Sequence, residues 1–102
     1  MSVYIEVSNQ VQFDEALQKI EDGQVLVIVN ATESIVAQNI KKTTIEIRDG
    51  VLVAIHCGAV VALNESKVLS YYSTVYASDR SEVLNARGMC MAYDSATCQK
   101  IF

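Results

Sequence analysis

His56 and Cys57 are neighbours in this 102-residue chain, and His56 is its single histidine. A thiol beside an imidazole can become a nucleophile if the ring nitrogen reaches the sulfur. The surrounding residues read as an extended segment, in which adjacent side chains face opposite ways. The pair is therefore expected not to act together, and His56 reads as a structural or surface residue. Metal ligation fares no better, because one histidine, three cysteines and dispersed acids offer no ligand spacing. Gly23, Gly50, Gly58 and Gly88 lie too far apart for a phosphate-cradling loop. Asp79, Glu82 and Asp94 could line a groove, as carboxylates do in some carbohydrate-active solenoids, but their spacing is equally that of solvated corners. No catalytic, cofactor-binding or metal-ligating residue is assigned, and no enzyme activity is expected.

What would position these residues is a repeat. Residues 43–102 fall into blocks of about eight, beginning at Thr43, Val51, Ala59, Lys67, Thr74, Glu82, Cys90 and Cys98. In an extended block the second and fourth side chains share a face. Val75 with Ala77, Val68 with Ser70 and Val83 with Asn85 are thus expected to point inward. Turn-forming residues collect at the block ends, as in Asn64-Glu65-Ser66, Ser78-Asp79-Arg80-Ser81 and Asp94-Ser95. Eight residues hold one strand and one corner. A unit that small buries its apolar side only by stacking on its neighbours.

The predicted fold class is mainly β: a small parallel β-solenoid with two or three blocks per coil, carrying an N-terminal strand and an amphipathic capping helix. An antiparallel sheet of short strands would show similar turn spacing. The chain is read as one domain, with residues 1–42 a strand-helix-strand cap and residues 43–102 the solenoid. Cys90 and Cys98 stand one block apart, on opposite sides of a two-sided coil, which argues against a disulfide. All three cysteines read as small buried hydrophobes in a reducing compartment.

Ahead of the repeat, Val3, Ile5 and Val7 alternate with Tyr4 and Glu6, a strand signature. Phe13, Ala16, Leu17 and Ile20 then follow helical spacing. Asn9 is the expected N-cap, Asp14 and Glu15 the early acids, and Gly23 the helix stop. Val25 to Val29 is a continuous apolar run and reads as a buried strand, while residues 35–40 fit a strand or a helical turn. Phe13, Leu17 and Ile20 are expected to cover one end or one face of the solenoid. Outward positions are also apolar, and the helix is too short to cover them all. Leu69, Tyr71, Tyr72, Tyr76 and Leu84 therefore form a candidate partner-binding stripe, with Asp79, Glu82 and Asp94 as its charged members.

The net charge is −4, which argues against direct nucleic-acid binding and permits an acidic surface that competes for a basic groove. No run is long and apolar enough to span a bilayer. With no charged-then-apolar leader read at Met1, a cytoplasmic protein is expected.

Residues 73–79, Ser-Thr-Val-Tyr-Ala-Ser-Asp, and residues 92–98, Ala-Tyr-Asp-Ser-Ala-Thr-Cys, resemble the repeat of certain phage and prophage proteins. There, blocks of the form S-A-T-V-x-A-Y-x run in tandem and are expected to form parallel β-solenoids. Thr74, Val75 and Ala77 match one block, with Ser73 in place of the alanine. Ala92, Tyr93, Ser95, Ala96 and Thr97 match across two blocks, and Cys98 stands where the repeat has valine. The resemblance implies a small protein of a mobile element, working in a bacterial cytoplasm. The function expected is non-enzymatic: binding a protein partner, such as a host nucleic-acid-binding complex, and inhibiting a CRISPR-type defence effector by occluding its surface. The alternatives are a self-assembling module that pairs as a homodimer through the same stripe, and a carbohydrate-active solenoid enzyme.

Overall fold

The structure, a computed structural model, describes residues 3–101. In chain order the elements are β1 (Tyr4–Val7), α1 (Gln10–Lys19), β2 (Val25–Ile28), β3 (Ile35–Gln38), β4 (Thr44–Ile47), β5 (Val51–Ile55), β6 (Ala59–Ala62), β7 (Lys67–Tyr71), β8 (Thr74–Ala77), β9 (Glu82–Ala86), β10 (Met89–Ala92) and β11 (Thr97–Lys100). One sheet has the order β1-β2-β4-β6-β8-β10 and the other β11-β9-β7-β5-β3. Neighbouring strands are parallel in both. Beginning at β2, each coil gives one strand to each sheet, so the chain is a two-sided parallel β-solenoid of about five turns. Coils advance by fifteen residues from Val60 to Val75 to Cys90. This is two blocks per coil, and the repeat starts at β2, ahead of residue 43.

Register turns the alternation of each strand into rows of side chains running along the coil axis. Inside the first sheet run Leu26, Ile45, Val60, Val75 and Cys90, and beside them Ile28, Ile47, Ala62, Ala77 and Ala92. Inside the second run Ile35, Leu52, Val68, Val83 and Cys98, and beside them Ala37, Ala54, Ser70, Asn85 and Lys100. Three of the four rows diminish, from leucine and isoleucine to valine, alanine or cysteine, so the apolar core tapers toward the C-terminal end, while the fourth turns polar from Ala37 and Ala54 to Ser70, Asn85 and Lys100. All but the last coil's members are buried. The expected inward pairs on β7, β8 and β9 stand as predicted. At Thr43, Cys90 and Cys98 the block frame is one residue out, because those blocks place Thr44, Met91 and Gln99 inward, whereas Ile45, Cys90 and Cys98 are the inward residues.

Most corners turn on a residue in the left-handed region. One side carries Asn30, Asn64, Asp79 and Asp94, the other Asn39, His56, Tyr72 and Arg87, with φ between 50° and 58°, while the β4–β5 corner uses Gly50 at φ 126°. Asn and Asp adopt αL at low cost, whereas His, Tyr and Arg are held there against a penalty of roughly 1–2 kcal/mol each. Bonds to the next coil hold two of them: His56 N–H donates to Tyr71 O at 2.9 Å and Tyr72 N–H to Ala86 O at 3.1 Å. At Gly88 the coils approach so closely that a Cβ would overlap the Ser73 carbonyl oxygen.

The helix α1 closes the N-terminal end. Asn9 caps it, its side chain accepting from Gln12 N at 2.8 Å. Phe13, fully buried, and Ala16 seat against the widest part of the core, with Leu17 and Ile20 partly buried beside them. The helix touches β1, β2 and β3, so it covers the coil's end and leaves the outer faces bare. It stops at Lys19 with Ile20 extended, not at Gly23, and Asp14 and Glu15 lie beyond its first turn. No helix among the described residues is long and apolar enough to cross a membrane.

Candidate interaction surfaces

The predicted stripe divides among three surfaces, because alternation sends neighbouring side chains to different places. Leu69 and Leu84 lie on the outer face of the second sheet, in a row that runs Val36, Val53, Leu69, Leu84 and Gln99. Tyr71 lies beside them, in register with Ile55. A groove of about 430 Å³ runs along this face, lined by Val51, Lys67, Leu69, Glu82, Leu84 and Gln99 among others. Val36 and Leu84 are 43% and 42% exposed. Tyr76 belongs to the opposite sheet, in register with Val61 and Met91. Tyr72 is on a corner, its ring stacked on His56 at 5.0 Å and 7°, with Arg87 Nη1 3.5 Å from its hydroxyl. Only Leu69, Tyr71 and Leu84 therefore share a face.

The three acids do not converge either. Glu82 is on the groove side, 3.9 Å from Lys67 on the adjacent strand. Asp79 and Asp94 are corner residues that cap the coil behind them. Asp79 Oδ2 accepts from Asn64 N at 2.9 Å, and Asp94 Oδ2 accepts from Ser78 Oγ at 2.6 Å and from Asp79 N at 3.5 Å. The Ser78 hydroxyl, helped by the Asp79 amide, holds the Asp94 carboxyl below the usual carboxylate range. Among the described residues no group of three His, Cys, Asp or Glu side chains could hold a metal ion.

His56 and Cys57 part company as expected, but through the corner after β5, where His56 has φ 52°, and not through strand alternation. The ring lies outside on Tyr72. The Cys57 thiol is buried and bonds to Ala37 O at 3.4 Å, and burial pushes its pKa up. A high-pKa buried thiol is a poor nucleophile.

Cys90 and Cys98 overturn the expectation of reduced, buried thiols: they are joined in a disulfide and half-exposed. Opposite sides of a two-sided coil face each other across a thin core, and the taper brings the two Cα atoms to 6.1 Å, within disulfide reach. The bridge occupies the positions that Val75 and Val83 hold one coil earlier. Placing Cys90 in the inward row would have revealed this pairing in the sequence.

The last coil differs from those before it. Met89, Met91 and Tyr93 are 63%, 47% and 51% exposed, and even the inward-row residues Ala92 and Lys100 meet solvent. β10 and β11 are the terminal strands of their sheets. No protein-family model, curated protein or solved structure matches the chain.

Proposed function

We propose that this protein works by binding another protein, without catalysis, through the outer face of its second sheet. The observation that carries this reading is the Val53–Leu69–Leu84 row and its groove, which α1 leaves uncovered. A parallel sheet with apolar side chains on its outer face usually packs against something. Tyr71 adds an aromatic ring with a polar tip, a residue type favoured at interfaces. The Lys67–Glu82 pair at the groove supplies charge of both signs.

The narrower reading is an inhibitor from a phage or other mobile element that occludes a host defence effector of the CRISPR type. It rests on the repeat resemblance, small size and net acidity. Occlusion by an apolar face fits the geometry better than nucleic-acid mimicry, because Asp79 and Asp94 are engaged in capping corners and Glu82 faces a lysine.

The test is affinity capture from a bacterial lysate with wild-type and Leu84→Glu baits. A stoichiometric protein held by the wild type and lost from the variant supports the reading. Equal recovery by both baits, or recovery of nothing but bait, contradicts it. Within the narrower reading, Glu82→Lys should leave capture intact if occlusion is apolar and abolish it if the acids imitate nucleic acid.

A further inference from the structure

One wall of the groove is held from inside by sulfur. Thr97 and Gln99 of β11 line the groove on the outer face of the second sheet. Cys98 lies between them in sequence, points inward, and is bridged to Cys90 of β10 in the opposite sheet, with the Cα atoms 6.1 Å apart. The Thr97–Gln99 segment thus carries a groove wall on one side and a disulfide on the other. Earlier strands of this sheet are anchored differently: β5 seats Leu52 and Ala54 in the core, and β7 seats Val68 and Ser70, all buried. On β11 the second inward position is Lys100, which is exposed. Of residues 89–101, Cys90, Ala96 and Cys98 pack against the apolar core. The bridge is therefore the main tie between β11 and the core.

We propose that the Cys90–Cys98 bridge is a redox switch for the groove, a regulation that rests on the reading of this groove as a protein-binding surface. In the oxidised chain the bridge holds Thr97 and Gln99 beside Glu82 and Leu84, their register partners on β9, and the groove is complete. Both cysteines are partly exposed, so a dithiol can reach the bridge. One thiolate of the dithiol attacks a bridge sulfur, forms a mixed disulfide and releases the other cysteine as a thiolate. The second thiol of the reductant then displaces the first cysteine. Cys90 and Cys98 gain two electrons and two protons, and the dithiol closes to its own disulfide. The freed thiols are smaller than the Val75 and Val83 side chains that fill the same rows one coil earlier, and they pack as weak hydrophobes. Untied, β11 loosens and the groove loses the wall made by Thr97 and Gln99. Binding is thus on in the oxidised chain and off in the reduced one. Cys57 takes no part, because it is buried on an earlier coil and bonded to Ala37 O.

The experiment reads the groove itself, on the 102-residue chain with no partner added. Methyl NMR of Leu69 and Leu84 and amide exchange of Thr97 and Ile101 are recorded in the air-oxidised protein and after dithiothreitol. Thr97 N–H and Ile101 N–H donate to Ser81 O and Asn85 O, each at 3.0 Å. Both should exchange about tenfold or more faster once the bridge is open. The Leu84 methyls, in register with Gln99, should shift, and those of Leu69, one coil further away, should shift less. Cys90→Ser with Cys98→Ser should resemble the reduced wild type. Cys90→Val with Cys98→Val repeats the side chains of the coil before, and should keep the groove formed and indifferent to dithiothreitol. A bridge that dithiothreitol leaves closed in the folded protein overturns the proposal. So does a reduced wild type with unchanged Leu84 methyls and Thr97 exchange, or a valine pair that responds as the wild type does. Because no partner is needed, the switch and the partner-binding reading fail separately.

Discussion

The Gln10 side chain completes the ladder of Val36. Its Oε1 accepts from Val36 N at 2.7 Å and its Nε2 donates to Val36 O at 3.0 Å. One carboxamide thus does for Val36 what the backbone of a neighbouring strand does elsewhere. Gln10 opens α1, whose next inward residue, Phe13, plugs the core. One helix therefore plugs the apolar core and bonds the β3 edge at Val36.

Phe13→Ala should destabilise the protein by about 3–5 kcal/mol, the usual cost of removing a buried phenylalanine. Gln10→Ala should cost about 1 kcal/mol, since the Val36 backbone groups then meet water. Denaturant melts of the two variants check this. A larger loss for Gln10→Ala would show that edge pairing, not burial, secures the cap.

Two serines a short way apart should respond oppositely to alanine. Ser73 Oγ accepts from Cys57 N at 2.9 Å and donates to Tyr71 O at 3.0 Å inside a corner. Ser73→Ala orphans a buried amide and should cost about 1–3 kcal/mol. Ser70 Oγ is buried with no partner, so Ser70→Ala should be neutral or stabilising. Melting temperatures of the two variants moving together would contradict this account of the core.

The middle of the fold was legible because β7, β8 and β9 combine strict alternation with corner residues at regular spacing. Val75 and Ala77 could be assigned inward from those features alone. The ends were harder. In Thr44-Ile45-Glu46-Ile47 the polarity alone sets Ile45 and Ile47 on the inner face, and it was counting blocks of eight back from Val51 that put Thr44 and Glu46 there. Met89-Cys90-Met91 is apolar at every position, so polarity could not show which residue faces in. The tyrosines fared similarly: Tyr71 and Tyr72 are adjacent in sequence, but a corner between them sends one to a sheet and the other to an αL position. The thickness of the core is a property of stacked coils, and it decided the Cys90–Cys98 pairing.

Alkylation in denaturant without reductant should modify one thiol, Cys57, and alkylation after reduction should modify three. Without denaturant Cys57 should react slowly, because it is buried and its pKa is raised. Three reactive thiols in the air-oxidised protein would contradict the bridge. Reduction should loosen the last coil first, because few other side chains close it.

Asp94 gives a pH dependence of known sign. Its folded pKa is depressed by the Ser78 hydroxyl, so its contribution is present above the ordinary carboxylate range and fades as pH falls through the folded value. The stability difference between wild type and Asp94→Asn should be small at neutral pH, given the exposed site, and should vanish on acidification. A difference that grows in acid would reverse the assignment.

The account rests on a solenoid whose first coil is packed under α1 and whose β10 and β11 are thinly packed. Amide hydrogen exchange, read strand by strand, tests this directly. The account predicts slow exchange in β2 through β9, including Val36 beside Gln10, and fast exchange in β10 and β11. Uniform protection, or fast exchange at β3, would contradict the asymmetry.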